Sequence, residues 1–214
     1  MGVNLLTALS EAIISGAHLD AEQLTKSLLE SGSTPGIILE KGLLPGMDVV
    51  GQRFRENQIF LPQVLVSARA MKSSMKLLEP LLAAAKVKAK GTVLIGTVKG
   101  DVHDIGKNLV GILLQGAGYR VVDIGVDCSP SKFINATREH KPDIVALSAL
   151  LTTTMLSMKA TIQTLRIEGI TLPIIVGGAP LNQKFADSIG ASAYARNASE
   201  AVDVVKRLLQ AKTP

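Results

Sequence analysis

The hydrophobic period of the chain changes near residue 90, and that change constrains the fold more than any other feature. Through residue 88 the apolar residues recur three and four apart, the spacing of one helical face. Breaks fall at Gly16-Ala17-His18, at Ser31-Gly32-Ser33 and from Gly42 to Gly46. Helix-start chemistry accompanies two of them: Asp20 can cap a helix with Glu22 in its first turn, and Ser33 precedes Pro35, a proline placed where a helix tolerates one. The longest segment opens at Leu61-Pro62, with Leu65, Ala68, Met71, Met75 and Leu78 along one face. Residues 1–88 are therefore expected to form a bundle of four to five helices.

From Gly91 onward, short apolar runs alternate with helical stretches. The runs are 92–98, 120–126, 143–150, 172–178 and a weaker one at 191–195, each followed by ten or more residues of helical pattern. Continuous apolar strands separated by helices imply a parallel sheet covered on both faces. Residues 89–214 are expected to form a doubly wound, five-stranded Rossmann- or flavodoxin-like α/β domain. Ligands of such sheets bind beyond the carboxyl ends of the strands, where the winding reverses, so the loops after strands 1, 3 and 4 are the places to search.

Composition narrows the chemistry. The single cysteine, Cys128, excludes an internal disulfide and a Cys-based zinc site, and points to a reducing cytoplasm. The net charge of +5 is scattered, and its one tight basic run, Lys86, Lys88 and Lys90, has no interleaved aromatics. It reads as a solvated linker, and no nucleic-acid partner is expected. No basic residue precedes the first apolar stretch, and no long apolar run lacks a charge or helix breaker, so neither a signal peptide nor a membrane span is expected.

The loop after the first strand reads Lys99-Gly100-Asp101-Val102-His103-Asp104-Ile105-Gly106. An imidazole that ligates a metal through one nitrogen normally gives the other N–H to a carboxylate, and Asp101 stands two residues away. No second histidine or cysteine lies nearby, so a metal caged by protein alone is a poor fit. One histidine suits a metal whose equatorial positions a macrocycle already fills. Asp104 serves equally as the cap of the helix beginning near Ile105 or as a cofactor contact.

Asp101-x-His103-x-x-Gly106, then Ser148-x-Leu150, then Gly177-Gly178, resembles the fingerprint of corrinoid domains that bind cobalamin with its own base displaced and a protein histidine on cobalt. The resemblance spans the chain and is closest to the cobalamin module of methionine synthase and to the small corrinoid proteins of methyltransferase systems. It implies a helical cap over residues 1–88 and a cobalamin-binding domain over 89–214. His103 would be the lower ligand of cobalt, with Asp101 holding its other nitrogen and Thr154 supplying a hydroxyl to Asp101. Gly100, Val102, Asp104, Ile105 and Gly106, in the same loop, would bind the cofactor. Leu150 would also bind the cofactor, Ser148 and Thr152 would meet the nucleotide tail, Gly177 and Gly178 would leave room for it, and Ala198 would lie in the final loop of the pocket. Phe60, Val64 and Leu65 would shield the upper face.

The resemblance further implies a methyl carrier cycling between Co(I) and methyl-Co(III). It would be served by a substrate:corrinoid methyltransferase, a corrinoid:acceptor methyltransferase using a thiol or tetrahydrofolate, and a reductive-activation protein. The cobalamin subunit of an isomerase and a cobalamin-sensing regulatory module are the alternatives. The first commonly lacks the helical cap, and the second is usually fused to a DNA-binding segment.

Overall fold

The computed structural model describes residues 2–85 and 87–211, so Lys86 of the basic run lies outside the described residues. The chain divides into two units, Met1–Lys88 with Gly116–Gly118, and Ala89–Gln115 with Tyr119–Pro214. Among the described residues no helix is long and apolar enough to cross a membrane.

The first unit consists of α1 (Gly2–Ser15), α2 (His18–Glu30), α3 (Pro35–Ile38), a π-helical turn (Leu39–Leu43), α4 (Leu44–Arg55) and α5 (Leu61–Ala84). Leu9, Ile13, Leu28, Ile38, Leu43 and Leu78 are fully buried in its core. Helix α2 begins at His18, which puts Asp20 inside the first turn rather than at the cap. The capping hydroxyl of α3 belongs to Thr34, not Ser33, and accepts from Ile37 N–H with Pro35 following.

Gly42 to Gly46 does not break the chain as the sequence suggested; it is helical throughout. Pro45 has no N–H to continue an α-helical ladder, and the helix widens into a π turn just before it. The glycines serve packing instead. A β-carbon on Gly42 would lie 2.8 Å from Leu9, and one on Gly46 would lie 2.8 Å from Ile13, both on α1.

The buried face of α5 is Val64, Ser67, Ala70, Met71, Ser74, Leu78 and Leu82, while Leu65 is exposed. Two serines enter this face because their hydroxyls are satisfied. Ser67 Oγ donates to Ile14 O at 3.3 Å, and Ser74 Oγ donates to Ala21 O at 3.2 Å while accepting from Thr25 Oγ1 at 3.0 Å.

The second unit is the expected α/β fold: β1 (Thr92–Thr97), α6 (Ile105–Gly116), β2 (Arg120–Asp123), α7 (Pro130–His140), β3 (Ile144–Ser148), α8 (Met155–Ile167), β4 (Ile174–Gly177), α9 (Gln183–Ser188), β5 (Ala193–Ala195) and α10 (Ala198–Gln210). All five strands are parallel in the order β2-β1-β3-β4-β5. Leu94, Phe133, Val145, Met158, Leu165 and Val176 belong to one core between the sheet and its helices. Helix α9 has only six residues, shorter than the pattern after the fourth run implied, because Ala179-Pro180 delays its start and Asn182 caps it.

The winding reverses between β1 and β3, since the chain moves to β2 on one side of β1 and to β4 and β5 beyond β3. The loops leaving β1 and β3 thus flank the crevice where such sheets bind ligands.

Candidate functional site

Backbone bonds fix the loop leaving β1 before any side chain acts. Val98 N–H donates to Ser148 O at 3.0 Å, Cys128 N–H donates to Thr97 O at 2.9 Å, and Asp101 N–H turns back to Val98 O at 3.1 Å. Gly100 has φ +84°, a conformation that glycine adopts without steric cost. The buried Thr97 hydroxyl donates to His103 O at 2.9 Å, which ties the far end of the loop to the strand.

Asp101 is the centre of the arrangement, and its carboxylate is fully buried. Oδ2 accepts from Leu150 N–H at 2.7 Å, from Leu151 N–H at 3.3 Å and from Thr154 Oγ1 at 2.7 Å. Oδ1 accepts from His103 N–H at 3.0 Å and lies 2.8 Å from His103 Nδ1. Burial pushes this carboxyl up, but the hydrogen bonds from Leu150, His103 and Thr154 outweigh it and hold the group well below the usual carboxylate range.

The tautomer of His103 follows. An ionised Asp101 can only accept, so the proton between them sits on Nδ1 and a neutral ring leaves its lone pair on Nε2. The His103 side chain is 46% exposed, against 0% for Asp101. Among the described residues nothing bonds to Nε2. One face of the imidazole is therefore locked and the other presents a free, directed nitrogen donor.

Thr154 occupies the position before α8 where a hydroxyl usually accepts from the first helical turn, yet it makes no such cap. Its Oγ1 also lies 2.9 Å from Leu151 O, but one proton serves one acceptor, and the carboxylate is the stronger.

Around His103 the side chains of Val102, Ile105, Leu150 and Leu151 are exposed and apolar. A β-carbon on Gly106 would meet nothing within 4 Å, and the residue does not have a positive φ, so the fold itself places no demand for glycine there. Asp104 stands immediately before α6, with its carbonyl accepting from Asn108 N–H at 2.7 Å and its carboxylate from Asn108 Nδ2 at 3.0 Å. Ser148 ends β3, and Thr152 is exposed in the turn that follows.

Gly178 has a structural reason to be glycine that the sequence did not reveal. With φ +142°, its β-carbon would lie 1.8 Å from Ala149 O, so the loops after β3 and β4 close on each other there. At Gly177 the nearest atom, Ala195 O, would lie at 3.2 Å. Ala198 is buried as the first residue of α10, behind the cap made by Asn197.

On the helical unit, Phe60 and Leu65 are exposed, whereas Val64, expected beside them, is fully buried and offers no free side-chain surface. Helical periodicity explains the difference: Val64 falls on the inward stripe of α5 with Ser67, Met71 and Ser74.

Two further elements escaped sequence reading. Lys107, almost fully buried on α6, pairs with Asp123 at the end of β2 and donates to Asn108 Oδ1 at 2.8 Å. Asp127, in the loop after β2, accepts from Gly100 N–H and has the left-handed φ of +49°. In sequence it is only an aspartate that follows the second apolar run.

The B12 binding domain family matches residues 91–212, and a second family described as a B12 binding domain matches residues 5–79. The dimethylamine corrinoid protein 1 of Methanosarcina mazei is 44% identical over 97% of this chain and 97% of its own length. The trimethylamine corrinoid protein of Methanosarcina barkeri is 40% identical, covering 96% of each. Among solved structures, a chain of the methanol:cobalamin methyltransferase complex MtaBC from Methanosarcina barkeri superposes with a TM-score of 0.92 at 34% identity, over 98% of this chain and 81% of that one.

Proposed function

The chain belongs to the corrinoid proteins built on B12 binding domains, and from that premise we propose that it holds its corrinoid with the cofactor's own base displaced, places His103 Nε2 on cobalt, and carries a methyl group from one methyltransferase to another. The observation that carries this reading is the buried Asp101 carboxylate: it holds Nδ1 of the half-exposed His103 ring and leaves Nε2 without a partner among the described residues, in the loop at the sheet's switch point. A single imidazole donor suits a metal that brings its own macrocycle, and the exposed apolar rim of Val102, Ile105, Leu150 and Leu151 suits a flat, largely apolar ring. The vacant side of Gly106 gives such a ring a place to approach.

When bound, the corrinoid supplies a cobalt that takes up a methyl group and gives it away again. The protein's part is orientation and proton control. Asp101 keeps the Nδ1 proton in place and, with Thr154, provides an acceptor and a hydroxyl through which charge on a detached His103 ring can be compensated. Ser148 and Thr152 are assigned to the nucleotide tail, Gly177 and Gly178 to leaving room for it, and Ala198 to the loop beside the same pocket. Phe60 and Leu65, two of the exposed apolar side chains of the helical unit, are assigned to keeping the methyl group dry.

Relatives named for dimethylamine and trimethylamine systems are similar over 97% and 96% of their length, and a chain of a methanol system over 81% of its length, which favours a methyl carrier over an isomerase subunit or a sensor. The loading methyltransferase would then select the methyl donor, a second one the acceptor, and a reductase would rescue oxidised cobalt.

The test is to load the full chain with hydroxocobalamin, remove free cofactor, reduce it, and add isotopically labelled methyl iodide. A methylated protein that keeps about one corrinoid per chain and yields the label to a thiol only with a corrinoid:thiol methyltransferase supports the reading. Failure to retain the corrinoid, or label released to free thiol without a partner, contradicts it.

A further inference from the structure

β1 has two neighbours in the sheet, and the loop it sends out is gripped from both. From the β3 side, Leu150, Leu151 and Thr154 hold the Asp101 carboxylate. From the β2 side, Cys128 N–H holds Thr97 O at the end of the strand, and Asp127 holds the backbone around Asp101. Asp127 N–H donates to Asp101 O at 2.9 Å, and Asp127 Oδ1 accepts from Gly100 N–H at 2.8 Å. Asp127 thus fixes the peptide groups on either side of the Gly100-Asp101 pair.

The backbone geometry at Asp127 suits this task. Its φ of +49° is the left-handed conformation, which costs most residues energy and which aspartate, asparagine and glycine tolerate best. The turn that presents it is itself anchored, because Asp123 Oδ1 accepts from Gly125 N–H at 2.8 Å while Asp123 Oδ2 pairs with Lys107. Lys99 Nζ lies 3.6 Å from Asp127 Oδ1, but both side chains are about half exposed, so this ion pair contributes little. The hydrogen-bond acceptor, rather than the charge, is what the loop uses.

We propose that Asp127 is a positioning residue that sets how firmly His103 coordinates cobalt, by holding the backbone of Asp101 while the β3 loop holds its carboxylate. This rests on the reading that His103 is the lower ligand. With the Gly100 bond gone, Asp101 can pivot about its anchored carboxylate. The ring it orients then samples a wider range of directions, and coordination weakens.

Two substitutions separate the acceptor from the backbone. Asp127→Gly keeps the left-handed turn and removes the acceptor; Asp127→Asn keeps both and removes the charge. Each full chain is loaded with hydroxocobalamin and reduced to Co(II), whose unpaired electron lies along the axial direction and splits into a triplet when a nitrogen is bound there. The ratio of nitrogen-bound to nitrogen-free signal is read across a temperature series, beside the melting temperature of each protein.

In Asp127→Gly the ratio should fall by about threefold to tenfold, the worth of one hydrogen bond, while Asp127→Asn stays within about twofold of the parent. An unchanged ratio in Asp127→Gly, with or without a lower melting temperature, overturns the proposal, because the residue is then merely structural. Equal losses in both variants also overturn it, because charge is then the cause. Nitrogen-15 histidine is the control: if the triplet of the labelled parent does not become a doublet, the ligand assignment itself has failed, whatever Asp127 does.

Discussion

The two units bury polar groups for different purposes. Among the described residues of the helical unit the buried polar side chains are hydroxyls: Thr25, Ser67 and Ser74, each satisfied by a neighbouring helix or its own. In the α/β unit they include a carboxylate, Asp101, and an ammonium, Lys107. A buried hydroxyl with a partner costs little and lets helices approach closely. A buried charge is expensive and persists only where a set of donors is arranged around it, as it is at Asp101. The comparison teaches where to look for function: at the charge whose burial the fold goes furthest to satisfy.

The largest effect should come from Asp101→Ala, which strands the Leu150, Leu151 and His103 N–H groups. We expect a loss of about 3–5 kcal/mol in the stability of the cofactor-free protein by denaturant unfolding. The pH dependence has a defined sign. Because the native carboxyl titrates below its unfolded value of about 3.9, its stabilisation is complete above that pH and is lost as the pH falls further toward the native value. Acid unfolding should therefore be less steep in Asp101→Asn than in the parent.

Next is Gly178→Ala, with an expected loss of about 2–4 kcal/mol, since a β-carbon cannot sit 1.8 Å from Ala149 O. This variant should melt early even without cofactor, which makes it a poor probe of the nucleotide tail. In the helical unit, Ser74→Ala removes one hydroxyl from a local pair and should cost about 1 kcal/mol, with corrinoid affinity almost unchanged. A loss at Ser74 as large as that at Asp101 would erase the contrast between the units.

The smallest change in stability, and the sharpest distinction, is expected at Gly106→Ala. The position is helical and open, so alanine should be neutral or stabilise the apoprotein by up to about 1 kcal/mol. Corrinoid binding, measured by equilibrium dialysis, should nonetheless weaken.

What the sequence made legible follows the same division. The strands were readable because β1, β3 and β4 are buried on both faces and therefore appear as continuous apolar runs. The constellation of Asp101, His103 and Thr154 was reached through a motif, and only the structure places the three within hydrogen-bonding distance. Residues that act through long-range backbone geometry left no pattern to read. Asp127 belongs to no motif, and the closeness of Gly178 to Ala149 O appears only in the fold. Ser67 and Ser74 interrupted the apolar stripe of α5, so its face was drawn through Leu65 instead, which is exposed. Gly42 and Gly46 resembled a helix break because sequence cannot distinguish a glycine that ends a helix from one that lets another helix close in.

The central claim is that a histidine nitrogen of this chain, oriented by Asp101, replaces the corrinoid's own base on cobalt. The most direct measurement is the Co(II) electron paramagnetic resonance spectrum of the cobalamin-loaded protein, prepared once with ordinary histidine and once with histidine carrying nitrogen-15. The account predicts that the axial nitrogen triplet becomes a doublet in the labelled protein and that His103→Ala removes the coupling to the protein. A triplet unchanged by the label would mean that the cofactor keeps its own base and that His103 is not the ligand.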